Sequence, residues 1–277
     1  KAPPSLAVGC AKCGRRSTVE QVRADYAGWN GLTFQCEACR SGDLAEWPTI
    51  PGHALDRELK KGGQARVFLT RELASGRAVV LKTVRLPWGI PDEDVTRRIQ
   101  FFQREAALTF SFRHPNVVET YGSGIEGRTL YVALEYVPGG DLQDYVSKNG
   151  LLGWREAAAF LMQALDALSA AHAAKIVHRD LKPENLLLTE ASPSARVKVA
   201  DFGLAKNFAL AGLSGCTVTG MWGGTMAYVA PEQLTDFKYA GPSVDVFSLG
   251  AIFFRTVTGA EIYEPGEPSF VERVLSS

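Results

Sequence analysis

Residues 176–188 read IVHRDLKPENLLL. Apolar residues stand at both ends. Between them lie His178, Arg179, Asp180, Lys182, Glu184 and Asn185. Lys-Pro-Glu-Asn is ordinary turn chemistry by itself. The unusual feature is an acid and an amide five positions apart on a loop held between two strand-like pieces. What that pair does depends on the parts found elsewhere in the chain.

Upstream, residues 57–73 read as strand, Gly-rich turn, strand, and residues 74–77 as a hairpin turn. The next strand, AVVLKTVRL, carries Lys82 inside it. Residues 91–112 read as a helix with acids in its first turn. Val95, Ile99, Phe102, Ala106 and Thr109 recur at helical spacing. Glu105 lies beside that apolar face, where a lone carboxylate is costly unless paired. Lys82 is its natural partner. Two more strands (VVETYGSG, TLYVALEYV), a short helix and a long helix lead back to the opening stretch. The long helix carries Phe160, Leu161, Ala164, Leu165, Leu168 and His172 on one stripe, with His172 read as a packed core histidine.

The 277 residues suggest about two domains at roughly 150 residues each. Lys plus Arg balances Asp plus Glu, 30 against 30, so no global field draws nucleic acid or anionic lipid. The most apolar window, 244–257, is interrupted by Asp245 and Arg255 and is too short to span a bilayer. With no signal peptide visible, the expectation is a soluble cytoplasmic protein.

Cys10, Cys13, Cys36 and Cys39 form two C-x-x-C pairs separated by 22 residues. Two such turns can complete a tetrahedral four-thiolate zinc site. Two disulfides or an iron–sulfur centre are the competing readings. A ribbon this small cannot fold on its own core, so metal binding would supply its stability, on the order of 10 kcal/mol. Mixed charge around the cysteines argues against DNA and for a structural role or a protein partner. The expected organisation is a zinc-ribbon module at 1–46, a linker at 47–52 and a second domain at 53–277.

That second domain resembles a bacterial-type serine/threonine protein kinase domain. KGGQARVF resembles the glycine-rich loop, VVLK the strand bearing the ATP-anchoring lysine, and Glu105 the helix glutamate. HRDLKPEN resembles the catalytic loop, DFG at 201–203 the metal-binding motif, and APE at 230–232 the end of the activation segment. The resemblance implies an α+β, bilobal protein-kinase-like fold. Its β-rich N-lobe would run from 53 to 137 and its helical C-lobe from 138 to 277, with the C-lobe short of the family's usual length.

The resemblance also implies roles. Gly62 and Gly63 would let backbone N–H groups close over phosphates. Lys82, held by Glu105, would grip the α- and β-phosphates of ATP. Asp201 and Asn185 would bind Mg²⁺ or Mn²⁺, hard cations that prefer oxygen. Asp180 would orient the substrate hydroxyl and Lys182 the transferred phosphate, with Thr225 bridging the two. Backbone groups of Glu135 and Val137 would meet adenine. Leu134 would stand at the back of that pocket, and Val67, Val80 and Leu187 would form its walls. Lys182 points to Ser/Thr specificity and protein substrates. Arg179 implies control by phosphorylation, with Thr217 and Thr219 as the expected sites.

Several positions depart from the family pattern. Lys60 and Ala65 stand where glycines are usual, and Phe247 stands for a common tryptophan. Asp245 is expected to brace the catalytic loop. Helices that would cover residues 244–257 and pair Glu232 are not in the chain, which predicts exposed apolar surface there. The competing function is a pseudokinase scaffold whose ribbon recruits partners. A small-molecule kinase is disfavoured by the DFG-to-APE segment.

Overall fold

The computed structural model describes residues 7–9, 16–18, 48–61, 65–86, 91–202, 225–235 and 241–262. Strands β1 (Ala7–Gly9) and β2 (Arg16–Thr18) pair antiparallel, Gly9 opposite Arg16. The four cysteines of the expected ribbon lie outside the described residues, as do Thr217 and Thr219.

A five-stranded antiparallel sheet follows, in the order β3-β4-β5-β7-β6. Its strands are β3 (His53–Lys61), β4 (Ala65–Glu72), β5 (Ala78–Arg85), β6 (Thr120–Glu126) and β7 (Thr129–Glu135). The two-residue period of β5 divides its side chains between the faces. Val79 and Leu81 are buried in a cluster with Ala133 and Ile50 on one face. Val80, Lys82 and Val84 take the other face, where Val84 and Val80 join Phe102, Val132 and Leu134. A one-residue slip of β5 would send Lys82 into the wrong layer.

Ile50 changes the reading of residues 47–52. It is only 2% exposed and packs on the outer face of the sheet. Leu73 N–H donates to the Gly52 carbonyl at 2.8 Å, so the segment is also tied by backbone. An apolar residue that reaches a sheet face is buried there, whatever prolines flank it.

Helix α1 (Asp92–Ser111) lies against β6 and β7. Val95, Ile99 and Phe102 fill the cleft-side cluster, and Ala106 is buried. Below the sheet, α2 (Leu142–Asn149), α3 (Trp154–Ala173), β8 (Leu186–Leu188), β9 (Val197–Val199), the short α4 (Pro231–Thr235) and α5 (Ser243–Thr258) form a second layer. Their shared core includes Phe160, Leu168, Leu181, Leu188 and Ile252. On α3, Ala157, Ala164, Ala167 and Ala171 are buried, and these small side chains face the layer that α5 joins. Leu165, read as part of this buried stripe, is 39% exposed. It sits about 100° around the helix from Ala164.

Gly139 allows the chain leaving β7 to lie against β8. A Cβ there would stand 2.4 Å from the Leu188 carbonyl oxygen. Instead the Gly139 N–H donates to that oxygen at 2.9 Å. On α5, Val246 and Phe254 are exposed, while Val244 and Ile252 are buried. Glu232 accepts a hydrogen bond from Ser243 Oγ at 3.0 Å. Among the described residues, no helix is long and apolar enough to cross a membrane.

Candidate active site

The loop between α3 and β8 is shaped by Asp245, which is 0% exposed at the start of α5. Its Oδ2 accepts from His178 N–H at 2.8 Å and its Oδ1 from Arg179 N–H at 2.7 Å. His172 Nε2 stands 2.8 Å from Oδ2, so His172 is a polar partner of this carboxylate as well as a packed residue. A buried carboxylate holding several N–H groups is strongly satisfied, and each donor depends on it. Arg179 has φ 64°, a left-handed conformation that costs a non-glycine residue roughly 1–2 kcal/mol. The Asp245 bond and Gln233 Nε2, which donates to the Arg179 carbonyl at 3.0 Å, hold that bend.

The bend presents Asp180. Lys182 Nζ lies 3.2 Å from Asp180 Oδ2, and both side chains are about a quarter exposed. Asn185 Nδ2 donates to the Asp180 carbonyl at 2.7 Å. With its nitrogen committed, the Asn185 carboxamide turns its oxygen the other way. The Asn185 carbonyl accepts from Ala200 N–H at 2.8 Å, which links this loop to the one carrying Asp201.

Asp201 also has φ 64°. Phe202, 4% exposed, anchors it between His178, with ring centroids at 4.9 Å, and Phe112, at 5.8 Å. The His178 ring sits 2.8 Å from the Ala200 carbonyl through Nε2 and accepts from Asp180 N–H at 3.3 Å through Nδ1. One imidazole thus ties both acidic loops. Lys82 Nζ lies 2.8 Å from Asp201 Oδ1. Burial pushes the Asp201 carboxyl up, but the Lys82 charge and hydrogen bond, with Lys182 behind, outweigh it and hold the group below its ordinary range.

Val67 pairs with Lys82 across β4 and β5. Leu134 and Val137 are buried, and the half-buried Val80, Leu187, Ala65 and Ala200 pack against the same cluster. These side chains form an apolar wall beside the polar groups. Glu135 closes β7, its N–H donating to the Glu119 carbonyl at 2.8 Å. Glu105 belongs to α1, but its side chain lies outside the described residues, as do Gly62, Gly63 and the Thr225 side chain. The hairpin flanking the glycines is closed by Lys61 opposite Arg66 and by an Arg66–Glu58 pair at 2.8 Å. Ala65 fills the glycine-like position as part of the wall, and Lys60 is exposed.

A carboxylate and an amide oxygen suit a divalent cation, and Lys82 suits phosphate. An apolar slot beside such groups suits a planar heterocycle. The protein kinase domain family matches residues 54–274. The chain belongs to that family. It is 37% identical over 217 residues to the serine/threonine-protein kinase PknA of Mycobacterium tuberculosis, and equally to PknA of Mycobacterium bovis. The match covers 76% of this chain and 48% of the relative, so the chain spans about half the length of the curated relatives it matches. Among solved structures, residues 1–466 of Rad53 in complex with AMP-PNP superpose with a TM-score of 0.64 at 27% identity, over 80% of this chain and 53% of that one.

This kinase domain also uses residues that the sequence reading passed over. Gln233 is 5% exposed, and its Oε1 accepts from Ala230 N–H at 3.1 Å while Nε2 holds Arg179. Its place directly after the APE motif was the available signal. The His178 ring contacts had no local signal at all.

Proposed function

We propose that this chain is an active serine/threonine protein kinase that moves the γ-phosphoryl group of ATP to Ser or Thr hydroxyls of proteins. The observation that carries the reading is the Lys82–Asp201 pair at 2.8 Å beside the Asp180–Lys182 pair at 3.2 Å, on two loops joined through Asn185. The donor set fits the nucleotide and metal. Asp201 and the Asn185 amide oxygen would hold Mg²⁺ or Mn²⁺, and Lys82 would hold phosphate oxygens. When bound, the metal–nucleotide complex supplies the transferable phosphoryl group and neutralises charge that spreads over its oxygens.

The chain's own residues then position and stabilise. Asp180 would accept a hydrogen bond from the substrate hydroxyl and take its proton as that oxygen bonds to the γ-phosphorus, while the bond from the γ-phosphorus to the β–γ bridging oxygen breaks and its electron pair leaves with ADP. Lys182, already paired with Asp180, faces the oxygens of the group in transit. Val67, Val80, Leu134 and Leu187 would enclose adenine, with the Glu135 and Val137 backbone groups at its edge. Gly62 and Gly63 would close over the phosphates, and Glu105 would hold Lys82 once the nucleotide engages Asp201. Thr217 and Thr219 are proposed autophosphorylation sites, and Arg179 the cation that answers the added charge.

Cys10, Cys13, Cys36 and Cys39 are proposed to bind one structural Zn²⁺. Support comes from the two C-x-x-C pairs and from the β1–β2 pairing, whose intervening residues 10–15 include Cys10 and Cys13. The module is then a candidate surface for a protein partner. Metal analysis of the purified chain is expected to give one zinc per chain, lost in Cys36→Ser. Incubation with labelled ATP is expected to label the chain and a protein substrate, and Asp180→Asn to lower turnover by about 10²–10⁴-fold. ATP binding without transfer by the wild-type chain would instead support a scaffold.

A further inference from the structure

Lys198 has no role in the chemistry above, yet its ammonium is carefully placed. It sits on β9 with its side chain 13% exposed. Nζ lies 2.8 Å from Glu135 Oε2 and 3.3 Å from the Val117 carbonyl oxygen. The same Glu135 oxygen accepts from Glu119 N–H at 3.1 Å, and Glu135 N–H returns a bond to the Glu119 carbonyl at 2.8 Å. Glu119 in turn pairs with Arg113. The backbone closes the same junction from the other side. Val118 N–H donates to Val199 at 2.9 Å, and Val199 N–H donates to Asn116 at 2.8 Å.

Three parts of the proposed nucleotide site meet at this junction. Glu135 ends the strand whose backbone would face adenine. Leu187, the apolar floor, is the β-ladder partner of Lys198. Asp201, the metal-binding candidate, follows Lys198 by three residues. The Glu135 carboxylate receives one backbone N–H and one ammonium. A carboxylate so placed needs the cation, because the alternative is a half-buried charge with one neutral donor. The cation likewise depends on Glu135, its other contact being a neutral carbonyl.

We propose that Lys198 is a positioning residue for ATP. Its pair with Glu135 fixes the strand end that meets adenine relative to the floor and to the loop bearing Asp201. The pair touches no reacting atom, so its effect falls on nucleotide binding more than on the transfer step. The inference rests on the kinase reading and adds to it.

The test uses the full 277-residue chain, with ATP affinity measured by calorimetry and kcat and KM for ATP measured with a protein substrate. Lys198→Met is expected to raise Kd and KM for ATP about tenfold and leave kcat within about twofold. Lys198→Arg, which keeps the cation, is expected to recover most of the affinity. The near-isosteric Glu135→Gln is expected to weaken ATP similarly, and the double variant to bind no more weakly than either single variant. If Lys198→Met does not fold, Lys198→Arg and Glu135→Gln still decide the matter.

Unchanged ATP affinity in Lys198→Met and Glu135→Gln, or additive losses in the double variant, would overturn the proposal. So would a rise in kcat at unchanged affinity, which would make the pair a restraint on turnover. A wild-type chain that binds no ATP overturns the kinase reading and this proposal with it. Wild-type binding with indifferent variants overturns the proposal alone.

Discussion

Asp245→Ala tests how the loop bearing Asp180 is held. The carboxylate is fully buried and sits 2.7–2.8 Å from three nitrogen partners: His178 N, Arg179 N and His172 Nε2. Truncation strands the buried His178 N–H and leaves the part-buried Arg179 N–H and His172 imidazole without this acceptor. A hydrogen bond to a charged acceptor is worth about 1.5–3 kcal/mol, and neighbouring losses are less than additive. The left-handed Arg179 also loses one of its restraints. The expected loss is about 3–5 kcal/mol, which is roughly 6–20 °C in Tm for a domain of this size.

Asp245→Asn is expected to fall between wild type and Ala, because its amide keeps one acceptor and sets an NH₂ against a donor. His172→Phe removes one partner and spares the backbone bonds, so it is expected to cost only about 1–2 kcal/mol. Thermal unfolding followed by circular dichroism, with phosphoryl-transfer rates on the folded fraction, reads all three variants. An Asp245→Ala protein that melts within about 2 °C of wild type and keeps its kcat would refute the reasoning.

Lys175 follows α3 in the left-handed conformation with φ 64°, and Ile176 N–H donates back to Ala171 O at 2.9 Å. Glycine suits that position, so Lys175→Gly is expected to stabilise by about 0.5–1 kcal/mol in urea denaturation, and a loss of stability would contradict it. Ile50→Ala is expected to cost about 2–4 kcal/mol by chemical unfolding, where a solvated linker residue would change less than about 0.5 kcal/mol. The depressed Asp201 carboxyl adds stability that is full above its unfolded value of about 3.9 and lost as pH falls through its lower folded value. The urea midpoint gap between wild type and Lys82→Met is therefore expected to narrow from about pH 7 to about pH 3. A gap of constant width would count against the Lys82–Asp201 pairing.

The readable parts of this molecule were local. The spacing of Val95, Ile99 and Phe102 gave α1, and the 176–188 stretch located the loop that bears Asp180 and Asn185. Asp245 was expected to brace that loop, and it does so through both oxygens. Apart from that brace, which the family resemblance implied, contacts between distant segments were not legible. Nothing around Lys198 announces Glu135, which is 63 residues away. Gln233 and Arg179 are separated by 54 residues and meet only because α4 returns to the loop. Leu165 has the apolar character of a core residue, but its angular position on α3 leaves it 39% exposed. Ile50 looked like linker because prolines and glycine mark turns, and turn chemistry does not say which side chain reaches a sheet.

The burial of Ile50 has a mechanical consequence. Ile50 seats against Val79 and Leu81, and Leu81 immediately precedes Lys82. A load passed along the chain from residue 48 meets this packed contact, one peptide bond from Lys82. Tension along the backbone at residue 48 would thus be shared between β3, by covalent connection, and β5, through the seat of Ile50 beside Lys82.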